Sequence, residues 1–306
     1  MKILVTGGLG TIGTVLVREL EARGHHVTIA DLPHHHAHNY VRCDVAEKAE
    51  VDRIMGYTFD VVYHLAAEFG RWNGEDHYQR LWRANCIGTK NVIRAQEQYG
   101  FRAVYFSSSE VYGDYDGVMS EDVPERQHIH LLNDYAISKW VNEMQVMNSA
   151  MMMDTQSVRV RLFNTYGPGE HYSPYRSALC QFIYKALMGQ KITVFKGHKR
   201  TSTFVTDTVR TLANISDNFI SGEVYNIGGY QYHTMEEAAQ MVQAATGCDP
   251  ALIQYEDAEP FTTTNKRVDL RKAERDLDHK CFVNLEDGIA RTVAWMRDVY
   301  LTKELA

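Results

Sequence analysis

Three consecutive serines followed by a glutamate form the first group of residues that could do chemistry. Ser107, Ser108 and Ser109 directly precede Glu110. Residues 102–106, just before them, form a short apolar run that predicts a buried strand. The serines therefore follow the carboxyl end of a strand, which is the edge where open α/β sheets bind their ligands.

A tyrosine and a lysine four residues apart form the second group. After Tyr135, apolar residues recur at three- and four-residue steps, which predicts a helix; they are Ile137, Trp140, Val141, Met144 and Met147. Tyr135 and Lys139 would lie one turn apart on one face of that helix. A phenol has a pKa of about 10, and a nearby ammonium favours its ionised form, so we expect Tyr135 to act as a general base.

Two other interpretations of this pair remain open at the level of sequence. Tyr135 could be a surface tyrosine beside a solvated lysine. Glu143 lies four residues after Lys139 and could form an i,i+4 ion pair with it. Such a pair would compete with a catalytic role only if it turned the ammonium away from Tyr135.

Glycines near the N-terminus have the spacing of a dinucleotide-binding turn. Gly8, Gly10 and Gly13 give G-x-G-x-x-G, and Gly7, Gly10 and Gly13 give G-x-x-G-x-x-G. An apolar run before the turn predicts a strand and the segment after it predicts a helix, which is the context that the motif requires. Backbone amides at the start of that helix can approach a pyrophosphate.

The acid that follows the second predicted strand indicates which dinucleotide is bound. Residues 26–30 form that strand, and Asp31 lies 21 residues after Gly10. An acid at this distance binds the ribose hydroxyls of adenosine, and its charge repels a 2′-phosphate. The sequence therefore predicts NAD rather than NADP, and protonation of the histidines at 34–36 would weaken that preference.

Composition indicates an ordinary globular protein and argues against several other classes. The 306 residues are 44% hydrophobic and 23% charged, and the net charge of −7 disfavours a general nucleic-acid surface. No apolar run approaches the ~18–20 residues that span a bilayer, and the N-terminus becomes glycine-rich too soon for a signal peptide. The five cysteines are scattered, so we expect a cytoplasmic protein without disulfides.

Two segments are unusual in composition. The histidine run at 34–38 has no cysteine or carboxylate at ligand spacing, so we expect a solvent-exposed loop and no metal site. Segment 171–206 contains no acid, and its basic residues are Arg176, Lys185, Lys191, Lys196, Lys199 and Arg200. In an acidic protein, such a segment indicates either a site for a small anionic ligand or a solvated basic face.

Taken together, these motifs resemble the extended short-chain dehydrogenase/reductases of the NAD-dependent nucleotide-sugar epimerase/dehydratase family. The resemblance runs from Met1 to about Trp295. It includes the glycine turn, the Tyr-x-x-x-Lys pair, Asn85-x-x-Gly88-Thr89 and the sequence Phe-Asn-Thr-Tyr-Gly-Pro-Gly at 163–169.

The resemblance implies an α/β fold, a Rossmann-type doubly wound parallel sheet with a smaller C-terminal α/β substrate domain. The NAD-binding domain would comprise residues 1–165, joined by about 204–228. The nucleotide-sugar-binding domain would comprise residues 166–203 and 229–306. Relatives commonly form homodimers through the helices that correspond here to 81–99 and 135–150, so we expect a homodimer.

The resemblance also implies the site residues. The predicted cofactor residues are Gly7, Gly10, Thr11, Ile12, Gly13, Asp31, Asp44, Val45, Leu65, Ala66, Ala67, Tyr135 and Lys139. The predicted substrate residues are Glu68, Arg71, Ser108, Ser109, Asn164, Arg176, Arg200 and Arg267. The match leaves the register at Arg267 open by one residue. Asp44 also begins a capping-box pattern with Glu47.

One stretch departs from the family pattern. Residues 68–80 are expected to form a loop that borders the sugar and sets the choice of substrate. They include Glu68, Arg71, Trp72 and Asp76. The resemblance does not identify that substrate, its nucleotide base or its sugar.

By resemblance, Ser108, Glu110, Tyr135 and Lys139 are the catalytic residues. Tyr135 would take a proton from the sugar C4 hydroxyl while NAD accepts the C4 hydride. Ser108 would share that hydroxyl, and Lys139 would bind the nicotinamide ribose and lower the pKa of Tyr135. Glu110 would remove the C5 proton, which favours a lyase, either a 4,6-dehydratase or a UDP-glucuronate decarboxylase. The alternatives are a nucleotide-sugar epimerase and a catalytically silent NAD-binding regulator.

The first prediction concerns the choice of cofactor. Because Asp31 places a carboxylate where NADP carries its phosphate, the protein should bind NAD more tightly than NADP in calorimetry. Replacing Asp31 by serine should reduce that ratio about tenfold, the equivalent of ~1.4 kcal/mol. Tighter binding of NADP by the unaltered protein would contradict the prediction.

Overall fold

The computed structural model describes residues 1–257 and 259–302, and within them the main sheet has seven parallel strands in the order β12-β7-β5-β4-β1-β2-β3. The strands are β1 (Lys2–Thr6), β2 (His26–Asp31), β3 (Tyr40–Arg42), β4 (Val61–His64), β5 (Arg102–Ser108), β6 (Val118–Met119), β7 (Ser157–Leu162), β8 (Thr165–Tyr166), β9 (Ile192–Phe195), β10 (Lys199–Thr201), β11 (Thr203–Phe204), β12 (Val224–Ile227), β13 (Tyr232–Thr234), β14 (Ile253–Glu256) and β15 (Arg267–Val268). From β1 the chain adds β2 and β3 on one side and then returns to add β4, β5 and β7 on the other. A ligand crevice is therefore expected at the carboxyl ends of β1 and β4.

Helices cover both faces of this sheet. The helices are α1 (Thr11–Ala22), α2 (Lys48–Met55), α3 (Arg71–Asp76), α4 (Tyr78–Trp82), α5 (Gly88–Tyr99), α6 (Val123–Arg126), α7 (Asp134–Met153), α8 (Ala178–Leu187), α9 (Val205–Asp217), α10 (Met235–Thr246), α11 (Arg271–Leu277) and α12 (Leu285–Tyr300). Buried side chains of α1, α9 and α11 pack on one face, and those of α2, α5 and α7 pack on the other. This arrangement confirms the predicted doubly wound fold.

A second, smaller core lies beside the sheet. It is formed by apolar side chains of α8, α10, α12 and β9. The chain returns to the main sheet between these pieces, because β12 pairs with β7 and α9 packs in the first core. Ala273 and Leu277 of α11 also lie in the first core, although the sequence assigned 229–306 to the smaller domain. No helix among the described residues is long and apolar enough to cross a bilayer.

The expected loop at 68–80 is wrong, because α3 and most of α4 occupy it. Gly70 turns the chain with φ +92, a conformation that favours glycine. The Asn73 amide then donates to the Phe69 carbonyl at 2.9 Å and to the Glu68 carboxylate at 3.0 Å. These bonds close the first turn of α3 on the residues before it.

The predicted helix at 81–99 contains a wide turn. Residues Arg83–Ile87 form one π-helical turn between α4 and α5. Such turns often occur at functional sites. Here it accompanies a buried Asn85, whose side chain donates to the Glu68 carbonyl at 3.1 Å and accepts from the Glu68 amide at 2.8 Å. The segment expected to choose the substrate is therefore anchored to the main domain.

Of two local predictions, the structure corrects one and confirms the other. Helix α2 begins at Lys48 with Glu47 as its N-cap, so the capping box proposed for Asp44 and Glu47 does not form. Asp44 instead accepts from the Ala46 amide at 2.9 Å. The predicted loop after β2 is confirmed, since the histidines of the 34–38 run lie exposed in an irregular connection.

Glu143 joins α7 to the sheet through a buried cluster of charges. Its carboxylate accepts from the Ser107 hydroxyl at 2.6 Å, from Arg161 at 2.8 Å and from Arg159 at 3.2 Å. All four residues are buried. Glu143 is therefore fully engaged, and it does not pair with Lys139 as the i,i+4 alternative required.

Removing the charge of Glu143 should destabilise the fold. Glu143→Gln would leave two buried guanidinium groups without a carboxylate, and breaking a buried ion pair costs about 3–5 kcal/mol. Denaturant unfolding should show that loss. The control Glu286→Gln changes an exposed side chain and should change the free energy of unfolding by less than about 1 kcal/mol. Equal, small effects of both substitutions would contradict the account.

Candidate active site

The glycine turn between β1 and α1 leaves no room for side chains. A Cβ on Gly13 would lie 2.2 Å from the Gly7 carbonyl oxygen, and one on Gly7 would lie 2.7 Å from the Ala66 nitrogen. Gly7 also has φ +69. Helix α1 begins after Gly10 without a side-chain cap. Its first amides are therefore available to a phosphate group.

Asp31 lies at the end of β2 and is held against this turn. Its carboxylate accepts from the Leu9 amide at 2.9 Å and from the Leu32 amide at 2.8 Å. The carboxylate borders the same cavity as the glycine turn. The residues present thus fit a dinucleotide, with amides for its pyrophosphate and an acid for its ribose hydroxyls.

One cavity of about 890 Å³ is lined by almost every predicted site residue. All the predicted cofactor residues line it, and they are Gly7, Gly10, Thr11, Ile12, Gly13, Asp31, Asp44, Val45, Leu65, Ala66, Ala67, Tyr135 and Lys139. The predicted catalytic and substrate residues that line it are Glu68, Arg71, Ser108, Ser109, Glu110, Asn164, Arg176 and Arg200. Arg267 does not line it.

Helix α7 presents Tyr135 and Lys139 to the cavity. The helix begins at Asp134, and the side chain of its N-cap residue Asn133 accepts from the Ala136 amide at 2.8 Å. The Lys139 ammonium donates to the Phe106 carbonyl of β5 at 3.0 Å. It lies 5.7 Å from the centre of the Tyr135 ring. Burial lowers the pKa of Lys139 to about 8.

The expected lowering of the Tyr135 pKa is absent from this structure. Burial raises the pKa of Tyr135 to about 12, and the Ser108 hydroxyl, which acts in the opposite direction, only partly offsets it. The Lys139 ammonium is occupied by a carbonyl and not by the phenol. Spacing on the helix predicted proximity correctly, but it did not reveal how strongly the fold desolvates the phenol.

Glu110 lies in a cluster of positive charges. It accepts directly from the buried Lys266 ammonium, and its carboxylate is 3.9 Å from Arg71 and 3.5 Å from the Asn133 amide. Burial acts to raise the pKa of Glu110, but Lys266 and Arg71 outweigh burial and hold the pKa at about 2. Glu110 is therefore ionised and paired across the neutral pH range.

The other predicted substrate residues that line the cavity have partners of their own. Arg200 is buried and donates to the Lys199 and Thr264 carbonyls, both at 2.8 Å. The Arg176 guanidinium stacks on the Phe69 ring at 3.8 Å. Asn164 donates to the Thr201 carbonyl at 3.1 Å, and the Ser109 side chain is buried. The Glu68 carboxylate pairs with Arg80 at 3.0 Å.

Lys266, and not the predicted substrate residue Arg267, lines the main cavity. Arg267 is exposed and lines a separate shallow groove, whereas Lys266 is 1% exposed and reaches the main cavity. The two neighbours differ in this way because alternate residues of an extended segment face opposite sides.

The acid-free segment divides into two parts. Arg176, Lys185 and Arg200 line the cavity, as an anion site requires. Lys191 and Lys196 pair instead with Glu256 at 3.4 Å and Asp257 at 3.5 Å on the surface. Within residues 1–257 and 259–302, no group of three or more His, Cys, Asp or Glu side chains is arranged to hold a metal ion.

Sequence comparison places this site in a known context. Residues 3–228 match the model of the NAD dependent epimerase/dehydratase family. A UDP-N-acetyl-alpha-D-glucosaminuronate decarboxylase from Bacillus cytotoxicus is 29% identical over 97% of this chain and 98% of its own length.

Two solved structures share the fold over nearly the whole chain. An epimerase from Methanothermobacter thermautotrophicus has a TM-score of 0.91 and 28% identity, covering 100% of this chain and 94% of its own. MoeE5 in complex with UDP-glucuronic acid and NAD has a TM-score of 0.87 and 28% identity, covering 98% and 100%. The predicted cofactor, NAD, is confirmed by the family and by the bound cofactor of such neighbours.

The charge cluster predicts how Glu110 should titrate. Lys266→Met removes the ammonium that most opposes burial, so the pKa of Glu110 should rise by more than about one unit. Carbon-13 NMR of the labelled carboxyl group measures it. Lys191→Met, which removes an exposed ammonium from a surface pair, is the matched control and should leave the Glu110 titration unchanged. An unchanged Glu110 pKa in Lys266→Met would contradict the assignment of the pair.

Proposed function

The chain belongs to the NAD-dependent epimerase/dehydratase family, and from that premise we propose that it modifies a nucleotide sugar through transient oxidation at sugar C4. The observation that carries this proposal is that Ser108, Tyr135 and Lys139 line the same cavity as the glycine turn and Asp31. A hydroxyl group can therefore reach the tyrosine while a bound dinucleotide lies alongside.

Each of these side chains has a proposed task. When bound, NAD supplies the oxidant, because it accepts the C4 hydride and later returns it. Tyr135 takes the proton of the C4 hydroxyl, and Ser108 shares a hydrogen bond with that oxygen. Lys139 binds the ribose next to the nicotinamide. Its contact with the Phe106 carbonyl fixes the ammonium against the end of β5.

The sugar-binding side of the cavity is proposed to lie mainly in the second part of the chain. Asn164, Arg176 and Arg200 would hold the diphosphate and sugar, with Lys266 in the place first given to Arg267. Arg176, Arg200 and Lys266 belong to the proposed nucleotide-sugar-binding domain at 166–203 and 229–306, and Asn164 lies two residues before it. The support for this assignment is that all four side chains line the cavity.

Among the outcomes open to a C4 ketone, we favour a lyase that removes carbon dioxide. A 4,6-dehydratase needs a base for the C5 proton, and Glu110, with a pKa of about 2, is a weak one. Decarboxylation needs no such base. In a 4-keto uronate the C5–C6 bond breaks, carbon dioxide leaves, and the electron pair moves into the C4 carbonyl. A proton then adds to C5, and the hydride returns to C4.

Two further observations support an acidic sugar. Arg71, Arg200 and Lys266 contribute three positive charges around the two carboxylates Glu110 and Glu259. A relative that is 29% identical is named as a decarboxylase of a glucosaminuronate. Epimerisation is the second candidate, because Glu110 is already engaged as the partner of Lys266, and a neighbour with a TM-score of 0.91 is described as an epimerase.

The direct experiment is incubation with UDP-, dTDP-, GDP- and CDP-sugars, including uronates, followed by mass and NMR analysis. Loss of carbon dioxide is the expected result. Loss of water would indicate a dehydratase, and an unchanged mass with altered stereochemistry would indicate an epimerase. Bound NAD without turnover of any sugar would favour the silent regulator and overturn the proposal.

We also propose a homodimer formed through 81–99 and 135–150. Both segments carry exposed apolar side chains, and they include Ile87, Tyr99 and Met144. Met144, one of the apolar residues that predicted the helix after Tyr135, is 51% exposed. Sedimentation that shows only monomer at micromolar and higher concentrations would contradict the dimer.

Because Tyr135 and Glu110 have different proposed roles, substituting each should have a different effect on the transient NADH signal, which is measured by absorbance in a single turnover. Tyr135→Phe should abolish the transient NADH signal while NAD remains bound. Glu110→Gln should retain that signal and should still form the decarboxylated product, because loss of carbon dioxide needs no base at C5. Both changes nearly conserve volume, so folding should persist.

Two outcomes would contradict these roles. A Glu110→Gln enzyme that forms NADH but no product would show that Glu110 acts as the base at C5, and the 4,6-dehydratase would become the better proposal. A normal NADH signal in Tyr135→Phe would exclude Tyr135 as the base.

A further inference from the structure

An ion pair between Arg71 and Glu259 lies at the wall of the cavity. Arg71 begins α3, in the segment that departs from the family pattern, and Glu259 lies between β14 and β15. The Arg71 Nη2 atom is 3.0 Å from each oxygen of the Glu259 carboxylate. The two side chains are only 22% and 14% exposed. The pair therefore joins segments 188 residues apart at the cavity wall.

The surrounding packing fixes Arg71 in this place. A Cβ on Gly70 would lie 2.7 Å from the Tyr175 carbonyl oxygen, so the chain passes close to the opposite wall. Next to Arg71, the Trp72 ring meets the Phe261 ring edge to face at 5.7 Å. The Phe261 carbonyl accepts from the Asn133 amide at 3.1 Å, and Asn133 is the N-cap of α7. Arg71 is thus tied to the helix that carries Tyr135.

Arg71 is also close to the proposed reacting groups. Its Nε atom is 3.9 Å from the Glu110 carboxylate, and Glu110 donates its amide to the Ser108 hydroxyl at 3.2 Å. Among the described residues, its second terminal nitrogen, Nη1, is buried without a hydrogen-bond partner. A guanidinium with unused donors at this position can bind another carboxylate, because its planar fork matches that group.

We propose that Arg71 recognises a carboxylate on C5 of the sugar, and that Glu259 occupies Arg71 in its place until the substrate binds. The inference rests on the proposed function and names the residue that selects an acidic sugar over a neutral one. A substrate carboxylate replaces one charged partner of Arg71 by another of the same kind. A neutral hydroxymethyl group cannot replace the Glu259 carboxylate, so it leaves the Arg71–Glu259 pair intact.

The charges of the cluster explain why the exchange discriminates. With Glu259 present, the three cations exceed the two carboxylates by one charge. Removing the charge of Glu259 increases the excess and frees Arg71, which favours a ligand carboxylate next to Arg71; the diphosphate is common to acidic and neutral sugars. Removing the charge of Arg71 abolishes the excess and leaves Glu259 to repel an incoming carboxylate.

The test compares UDP-glucuronate with UDP-glucose, which differ only in the group on C5. Dissociation constants are measured by calorimetry on NAD-loaded protein in a Tyr135→Phe background, so that turnover does not intervene. Glu259→Gln should tighten UDP-glucuronate about tenfold and leave UDP-glucose unchanged. Arg71→Gln should weaken UDP-glucuronate about tenfold or more, again without changing UDP-glucose.

Two controls separate this role from a structural one. Asp257→Asn removes an exposed negative charge two residues before Glu259 and should change neither constant. In the Arg71→Gln protein, the additional Glu259→Gln change should no longer give the full tenfold gain, because the gain requires the freed guanidinium. This coupling would not appear if the substitutions only loosened the wall.

The outcomes that overturn the inference are distinct. Equal effects of Arg71→Gln on both sugars, weaker UDP-glucuronate binding in Glu259→Gln, or binding of neither sugar would each do so. The proposed function is tested by a separate measurement. It fails if the protein with the native Tyr135 forms no NADH. Preferential binding of the uronate without oxidation would therefore sustain Arg71 as the selector and refute the chemistry.

Discussion

The buried carboxylate of Glu143 is the constraint on which the rest of the site depends. It holds α7 against β5 through Ser107 and against β7 through Arg159 and Arg161. Lys139 lies one turn and Tyr135 two turns earlier on the same helix, and Ser108 follows Ser107 on the strand. Since removing any of these charges leaves others buried and unpaired, the helix cannot slide along the sheet without breaking the cluster. The two walls that would hold a C4 hydroxyl are thereby fixed relative to each other.

A second charge cluster, around Glu110, is built from the same residue types but has a different consequence. Glu143 is closed off between helix and sheet, whereas Glu110, Arg71 and Lys266 border the cavity. Burial lowers the pKa of Lys266 to about 8, and Glu110 opposes this effect. Cations held in this way can change partners when a ligand arrives, because their surroundings remain open on one side. The first cluster therefore gives rigidity, and the second can give selectivity.

Patterns within short stretches of sequence predicted much of this arrangement. The glycine turn, Asp31, the serines after β5 and the helix from Tyr135 each depend on neighbours within a few residues. Glu259 was missed, and the basic contact was placed on Arg267 with its register open by one residue. The reason is that Lys266 and Glu259 meet Glu110 and Arg71 across 156 and 188 residues of chain. The pKa of Tyr135 was predicted in the wrong direction for a related reason. The spacing shows that Lys139 lies near Tyr135. Only the folded structure shows that burial raises the pKa of the phenol and that the Phe106 carbonyl engages the Lys139 ammonium.

The central claim is that sugar C4 is oxidised and then reduced again in the site formed by Tyr135, Ser108 and Lys139. Rapid-mixing absorbance at the NADH band, with UDP-glucuronate carrying either hydrogen or deuterium at C4, tests this claim most directly. The account predicts that transient NADH forms more slowly with the deuterated sugar, and that the product recovers deuterium at C4. A reaction that proceeds at equal rates with both sugars and shows no transient NADH would contradict it.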